Sequence, residues 1–275
     1  MADTLSEPRL NLTTINSIPI LTDDASASSV GVRVAFTQRA GGFSEGPFGS
    51  LNLGTHVKDD YETVLRNRRA LMEALGAPER GLVVPNQVHG TDLVVISESD
   101  DAALDCARRE ADAGADALVV ETSGVTALLC FADCTPVIIV SPTGRFAVVH
   151  AGWRGAVAGI AGKSVRELVA RDEAAGVFGT ASGMNVYVGP HIHVECFETG
   201  EDVRARFAET FGAECVEGSC VNLARAVSTD MVRAGVDPAR IVVAPFCTRC
   251  DAQTYFSYRA SGGVCGRHGA LAVRL

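Results

Sequence analysis

The stretch 136-PVIIVSPTGRFAVVHAGWRGAVAGIAGKSV-165 decides the fold. Two apolar, β-branched runs flank Pro142-Thr143-Gly144, a turn sequence, so the segment predicts a β-hairpin. Both runs are continuously apolar rather than alternating, the pattern of strands covered on both faces. The second run leads straight into an Ala- and Gly-rich segment that predicts a long helix over about 152–174. At that junction stand His150, Trp153 (the only tryptophan) and Arg154, spaced by Gly152 and Gly155. Pairing outward from Thr143 sets Pro136 opposite His150. Cys134 then falls two residues beyond, at the same end of the hairpin. Diagonal neighbours of this kind lie about 7–8 Å apart at the backbone, close enough for two side chains to meet on one ion. Asp133 brings a carboxylate to the same end.

Outward from the hairpin, the middle of the chain is strand-rich: 82–85, 92–97, 116–120 and 126–131 are short apolar runs separated by turn signals. Downstream, NVYVGP (185–190) and IVVA (241–244) read as strands, 200–211 and 222–235 as helices, and the remainder as an irregular tail. Upstream, VRVAF (32–36) reads as a strand. Residues 1–30 are weakly patterned, with DDASASSV read as loop. Asp59 and Asp60 are placed to cap a helix running to about 76, with Val64, Leu65, Leu71, Met72 and Leu75 on its apolar side. Between them, TQRAGGFSEGPFGSLNLGTHVKDD (37–60) carries five glycines and no periodicity, so it reads as a long ordered loop. The pattern is that of an N-terminal segment, 1–30, followed by one mixed α/β domain over 31–275 with a large sheet.

Composition narrows the function. With 275 residues and 47% hydrophobic content, the chain is long enough for a substantial core. A net charge of −9 without a basic stripe argues against nucleic-acid binding. No apolar run reaches bilayer length, and the polar start MADTLSEPRL does not read as an export signal. Nine cysteines, an odd number, argue for free thiols in a reducing cytoplasm rather than a disulfide framework. Nothing in the pattern specifies an oligomeric state.

Catalytic zinc is held by three N, S or O ligands with one position open. Cys134 and His150 qualify through the hairpin register. His89, in the turn NQVHGTD between two strands, supplies a third donor. Spacing alone leaves open the plainer reading of a packed cysteine and a solvated histidine. Cys247 and Cys250 in CTRC have C-x-x-C spacing, with Cys215 and Cys220 upstream. A second zinc or a redox dithiol fits that spacing, though thiols without a second metal are the preferred reading. His191 and His193 form the sole H-x-H and read as structural or solvated.

Seven motifs in order, TQRAGGFSEGPFGSLNLGTHVKDD, NQVHGTD, ADALVVE, FADCTPVIIV, VVHAGWRGAVAGI, VGPHIHVECFETG and CTRCDAQTYFSYR, closely resemble the YfiH-type family. That family has been labelled polyphenol oxidase or laccase domain and described as purine nucleoside phosphorylases. The resemblance runs from about residue 32 to the C-terminus. It implies an α+β fold of bifurcated, sandwich-like sheets with helices outside, and a catalytic zinc on His89, Cys134 and His150, with copper as the alternative occupant. It further implies phosphorolysis of purine nucleosides (adenosine, inosine, guanosine, methylthioadenosine) by phosphate, and adenosine deamination. Asp133 is then a general acid/base or a group orienting a ligand. Arg39, Ser44 and Asn52 become a pocket wall, and Arg259 a phosphate or ribose contact. Arg154 divides evenly between phosphate ligand and scaffold. Only Cys247 of the C-x-x-C pair matches the family pattern. Two rival readings use the same residues. One is a copper-dependent phenol oxidase, disfavoured by a single H-x-H. The other is a cysteine hydrolase with Cys134 as nucleophile and His150 as base, as in cell-wall precursor editing.

Overall fold

Residues Thr135–Val140 and Phe146–Ala151 pair antiparallel, and Pro136 lies opposite His150, the register read from the sequence. The computed structural model describes residues 5–275; the first four residues of the polar N-terminus lie outside the described part. In chain order the strands are β1 Asn11–Ile15, β2 Ile18–Thr22, β3 Val32–Thr37, β4 Leu82–Val83, β5 Leu93–Ile96, β6 Ala117–Val120, β7 Thr126–Phe131, β8 Thr135–Val140, β9 Phe146–Ala151, β10 Asn185–Val188, β11 Val216–Glu217, β12 Cys220–Val221, β13 Ile241–Val243 and β14 His268–Arg274. The helices are α1 Asp24–Val30, α2 Tyr61–Leu75, α3 Asp101–Ala113, α4 Trp153–Val157, α5 Ile160–Ala174, α6 Glu201–Phe211 and α7 Leu223–Arg233. None is long and apolar enough to cross a membrane.

Two six-stranded mixed sheets form a sandwich, ordered β1-β2-β3-β14-β7-β4 and β13-β10-β8-β9-β6-β5. The continuous apolar runs follow from this layering. Ile138 and Val140 of β8, with Phe146 and Val148 of β9, meet Phe36, Leu129 and Ala270 of the facing sheet. Their alternates Val137, Ile139, Ala147 and Val149 face α5 and α7 on the outside. Each such Val, Ile, Leu or Phe side chain, fully buried, contributes about 1.5–3 kcal/mol. On the opposite outer face, Leu71, Met72 and Leu75 of α2 cover the first sheet.

Besides β1, β2, β11 and β12, which the sequence reading did not place, four elements differ from it. DDASASSV is not loop: Asp23 accepts the Ala25 N–H, Gly31 closes the turn at φ 72°, and the result is α1. Residues 101–113, unread in the sequence, form α3 behind an Asp100 cap. The helix expected over 152–174 is broken at Gly159, whose φ of 80° no α-helix accommodates, giving α4 and α5. The end of the irregular tail is β14, a central strand paired to both β3 and β7.

Candidate metal centre and cavity

His89 sits on the connection from β4 to β5, Cys134 on the turn from β7 to β8, and His150 within the last turn of β9. Their donor atoms all lie within 4.8 Å of one another. His89 Nε2 is 3.8 Å from Cys134 Sγ, and the two imidazoles meet edge to face at 4.8 Å. Two nitrogens and one sulfur at this spacing suit a borderline-soft divalent ion with a fourth position open.

One buried carboxylate arranges the two histidines. Asp116, immediately before β6, is fully buried. Its Oδ1 accepts the Nδ1–H of His150 at 2.7 Å, so Nε2 is the nitrogen that would give up its proton to ligate an ion. The same side chain accepts three successive backbone N–H groups, from Val88, His89 and Gly90, at 3.3, 3.0 and 2.6 Å. They converge because His89 has the left-handed φ of 60°, turning neighbouring N–H groups toward one anion. Burial raises the Asp116 carboxyl, but the bond and charge of His150 and these N–H groups outweigh it and hold the carboxyl below its usual range.

Gly152 is required for space. A Cβ there would stand 2.7 Å from His89 Cδ2 and 3.5 Å from Cys134 Sγ. A Cβ on Gly155 would meet the Gly90 carbonyl at 2.7 Å, so α4 packs directly on the His89 turn. In the metal-free site burial raises the Cys134 thiol, yet the charge of His150 and bonds from His150 and His89 overcome this and bring it down to about 6. Burial lowers His150, but the Cys134 thiolate and Asp116 reverse this and lift it to about 9.

The donor set opens on a cavity of about 460 Å³. Asp133, φ 90°, lines it. Its Oδ1 accepts from the buried Thr248 hydroxyl at 2.6 Å and its Oδ2 from the Arg259 backbone N–H at 2.7 Å. Thus Asp133 does not orient a histidine; Asp116 does. The guanidinium of Arg259 lines the same cavity, held near the Glu198 carbonyl at 3.3 Å and over the Phe197 ring. Phe197 and Tyr258 present rings to the cavity, Arg267 adds a second guanidinium, and His56 stands beside it. Partial burial, then the charges of Arg267 and Arg68, lower the pKa of His56.

The expected pocket wall lies elsewhere. Arg39 donates to the Gly49 and Ala252 carbonyls at 2.8 and 2.7 Å and lies over Phe256. Ser44 donates to Asp59 at 2.7 Å, and the fully buried Asn52 donates to the same carboxylate at 2.8 Å. Buried Asn67 of α2 laces the loop further, accepting from Phe43 N–H and donating to Ser44 Oγ. None of the three lines the cavity. Their polar atoms are consumed holding a glycine-rich loop against α2. Arg154 also lies off the cavity, exposed and stacked 4.3 Å over Trp153, while Trp153 packs on the outer core. Asp116, His56 and Arg267 are the additions. The first two stand inside ADALVVE and LNLGTHVKDD, motifs that carried the resemblance without being assigned a role. Arg267, in the stretch read as irregular tail, gave no signal.

Among the described residues, His191 and His193 take no part in a metal-ligating group. His191 donates instead to the Gly189 carbonyl at 2.8 Å, and burial lowers its pKa to about 4.

Two sheet-to-sheet connections and the end of β9 bring two histidines and a cysteine to one cavity, so the fold is an α+β sandwich carrying a candidate metal site. Residues 33–274 match the family described as multi-copper polyphenol oxidoreductase laccase, and the chain belongs to that family. It is 37% identical over 248 residues, 86% of this chain and 88% of the other, to a purine nucleoside phosphorylase, YlmD, of Geobacillus stearothermophilus. It is 35% identical, over 89% of this chain and 94% of the other, to adenosine deaminase RL5 from an unknown prokaryotic organism. The crystal structure of YlmD from G. stearothermophilus superposes with a TM-score of 0.80 at 30% identity, covering 99% of both chains. The YfiH protein of Bacillus licheniformis shares the fold, with a TM-score of 0.82 at 24% identity over 94% and 97% of the two chains.

Proposed function

We propose that the chain is a zinc-dependent purine nucleoside phosphorylase that also deaminates adenosine. The observation that carries this reading is the His89–Cys134–His150 donor set facing Arg259 and Arg267 across one cavity. A cavity of about 460 Å³ suits a nucleoside, since small-molecule sites run to about 300–1,000 Å³. The names of the relatives support purine nucleosides as the substrate class, adenosine among them, with phosphate as second substrate; inosine, guanosine and methylthioadenosine complete the proposed range.

In this reading His89, Cys134 and His150 hold zinc, which when bound supplies a Lewis-acid centre for the purine or its attacking group. The chain's own residues do the rest. Phe197 and Tyr258 hold the flat base against aromatic faces. Arg259 and Arg267 bind phosphate, their planar forks matching its oxygens. Phosphorolysis joins a phosphate oxygen to C1′ as the C1′–N9 bond breaks, and positive charge develops on the ribose. The Asp133 carboxylate, fixed at both oxygens, offsets that charge and accepts a ribose hydroxyl proton in a hydrogen bond. His56, whose pKa burial and then the charges of Arg267 and Arg68 lower, stands in the cavity where it can exchange a proton with the departing base.

The test is chromatographic release of free base from a nucleoside panel with and without phosphate, beside zinc content. His150→Ala should lose both zinc and phosphorolysis. Undiminished phosphorolysis by a zinc-free His150→Ala enzyme refutes the reading. The family's description favours copper phenol oxidation as a second reading, with copper on the same three donors. It requires dioxygen uptake on copper loading.

A further inference from the structure

A second cluster of donors lies away from the His89–Cys134–His150 set. Glu195, Cys196, Cys247 and Cys250 bring one carboxylate oxygen and three sulfurs to within 4.8 Å of one another. Two separate segments supply them. Glu195 and Cys196 close a 3-10 turn at Val194–Cys196, and Cys247 and Cys250 lie on the C-x-x-C turn that follows β13. The partners read from sequence, Cys215 and Cys220, are not part of it: Cys215 is packed in the outer core and Cys220 belongs to β12. Cys196 is 54 residues from Cys250 in sequence; only folding brings its Sγ to 3.3 Å from Cys250 Sγ.

We infer that Glu195, Cys196, Cys247 and Cys250 form a second, structural zinc site. Three features carry this. The donor set is the closed, four-ligand, sulfur-dominated kind that structural zinc takes, with no position left for substrate. Cys196 and Cys247 are buried while Cys250 and Glu195 close the set from the solvent side, so donors from both segments converge on one point at the surface of the fold. Finally, Cys247 Sγ accepts the His193 backbone N–H at 3.4 Å, an interaction that stabilises thiolate and fixes its direction. A Cys196–Cys250 disulfide would leave Cys247 and Glu195 converging on nothing.

The position gives the ion a purpose. Thr248, between the two turn cysteines, is the residue whose hydroxyl holds Asp133, and Phe197, next to Cys196, is a cavity wall. A zinc at the cluster ties the 191–197 segment to the 247–250 turn, already joined by the Thr248 N–H to His191 carbonyl bond of 3.0 Å. It thereby braces one wall of the cavity while taking no part in its chemistry.

The experiment loads the reduced full-length chain with zinc, removes excess by desalting and counts ions by native mass spectrometry. Wild type should carry two zinc ions, Cys250→Ser one, and His150→Ala one. Cobalt substitution of the unmutated chain is the second readout and does not depend on a variant folding. Its thiolate-to-cobalt absorption should correspond to four Co–S bonds, three from this cluster and one from Cys134. One zinc in wild type, unchanged in Cys250→Ser, overturns the inference, as does absorption for a single Co–S bond. A Cys196–Cys250 disulfide in protein prepared without oxidant overturns it also. If the first site is empty while this cluster fills, the phosphorylase reading fails alone.

Discussion

Replacing Asp116 with Asn tests how the candidate metal centre is organised, because the change keeps shape and removes charge. If the Asn oxygen stays toward His150 and the His89 N–H, the new NH2 faces the Gly90 N–H, which now lies 2.6 Å from the replaced oxygen. Donors then oppose donors. If the amide is reversed, its NH2 faces His150 Nδ1 and favours the tautomer with the proton on Nε2, the nitrogen needed for the ion. Either arrangement loses a charge-assisted hydrogen bond worth about 1.5–3 kcal/mol. Loss of such a supporting carboxylate lowers metal affinity by about 10–100-fold, equivalent to about 1.4–2.7 kcal/mol. The assay is zinc competition against a chromophoric chelator, run beside a thermal melt of the metal-free protein. The expected result is a folded Asp116→Asn variant, melting a few degrees lower, whose zinc affinity falls by at least tenfold. A folded variant with affinity within about twofold of wild type, a difference under about 0.5 kcal/mol, would refute the reasoning.

Gly152→Ala should leave the fold intact, since φ −65° suits alanine, yet push His89 away from Cys134. Zinc affinity should fall sharply with a stability loss of about 1–3 kcal/mol, read by the same titration and melt. In metal-free protein, Cys134 should be alkylated at a rate that rises with pH through about 6, three decades below the ordinary thiol value of 9.0. Zinc should abolish that reaction, and rapid alkylation at full zinc occupancy would favour a cysteine nucleophile over a ligand. Arg259→Ala should raise the KM for phosphate about 10–100-fold, matching one lost charged hydrogen bond of about 1.5–3 kcal/mol, with zinc content unchanged. Initial rates against phosphate at saturating nucleoside check it.

The hairpin was legible because turn chemistry and two uninterrupted apolar runs agree, and its register placed Cys134 beside His150 before any coordinates. His89 was nameable as a donor in a turn, but its left-handed backbone and its proximity to Cys134 depend on Asp116. That carboxylate comes from a strand 27 residues away in sequence. The glycine-rich loop misled because Arg39, Ser44 and Asn52 are residue types that bind anions and sugars equally well as they bind backbone. Only burial and partners distinguish the two uses. α3 was missed because Ala, Asp and Arg dominate it and just Leu104, Ala107 and Ala111 are buried. β14 was missed for the opposite reason. Its HGALAV run is almost wholly buried, but small residues with little β-propensity fill a strand squeezed between two neighbours and two cores.

The connections that carry His89 and Cys134 both pass from one sheet of the sandwich to the other, and His150 ends a strand of the second sheet. An ion gripped by all three is therefore a cross-link at the seam, and only the assembled sandwich can offer it. Ligand that binds the native state alone adds about 4 kcal/mol at a thousandfold excess over its dissociation constant. On the proposed zinc-dependent reading, the protein would be hardened by the same event that readies it for substrate, and scarcity of metal would both silence it and loosen it for proteolysis.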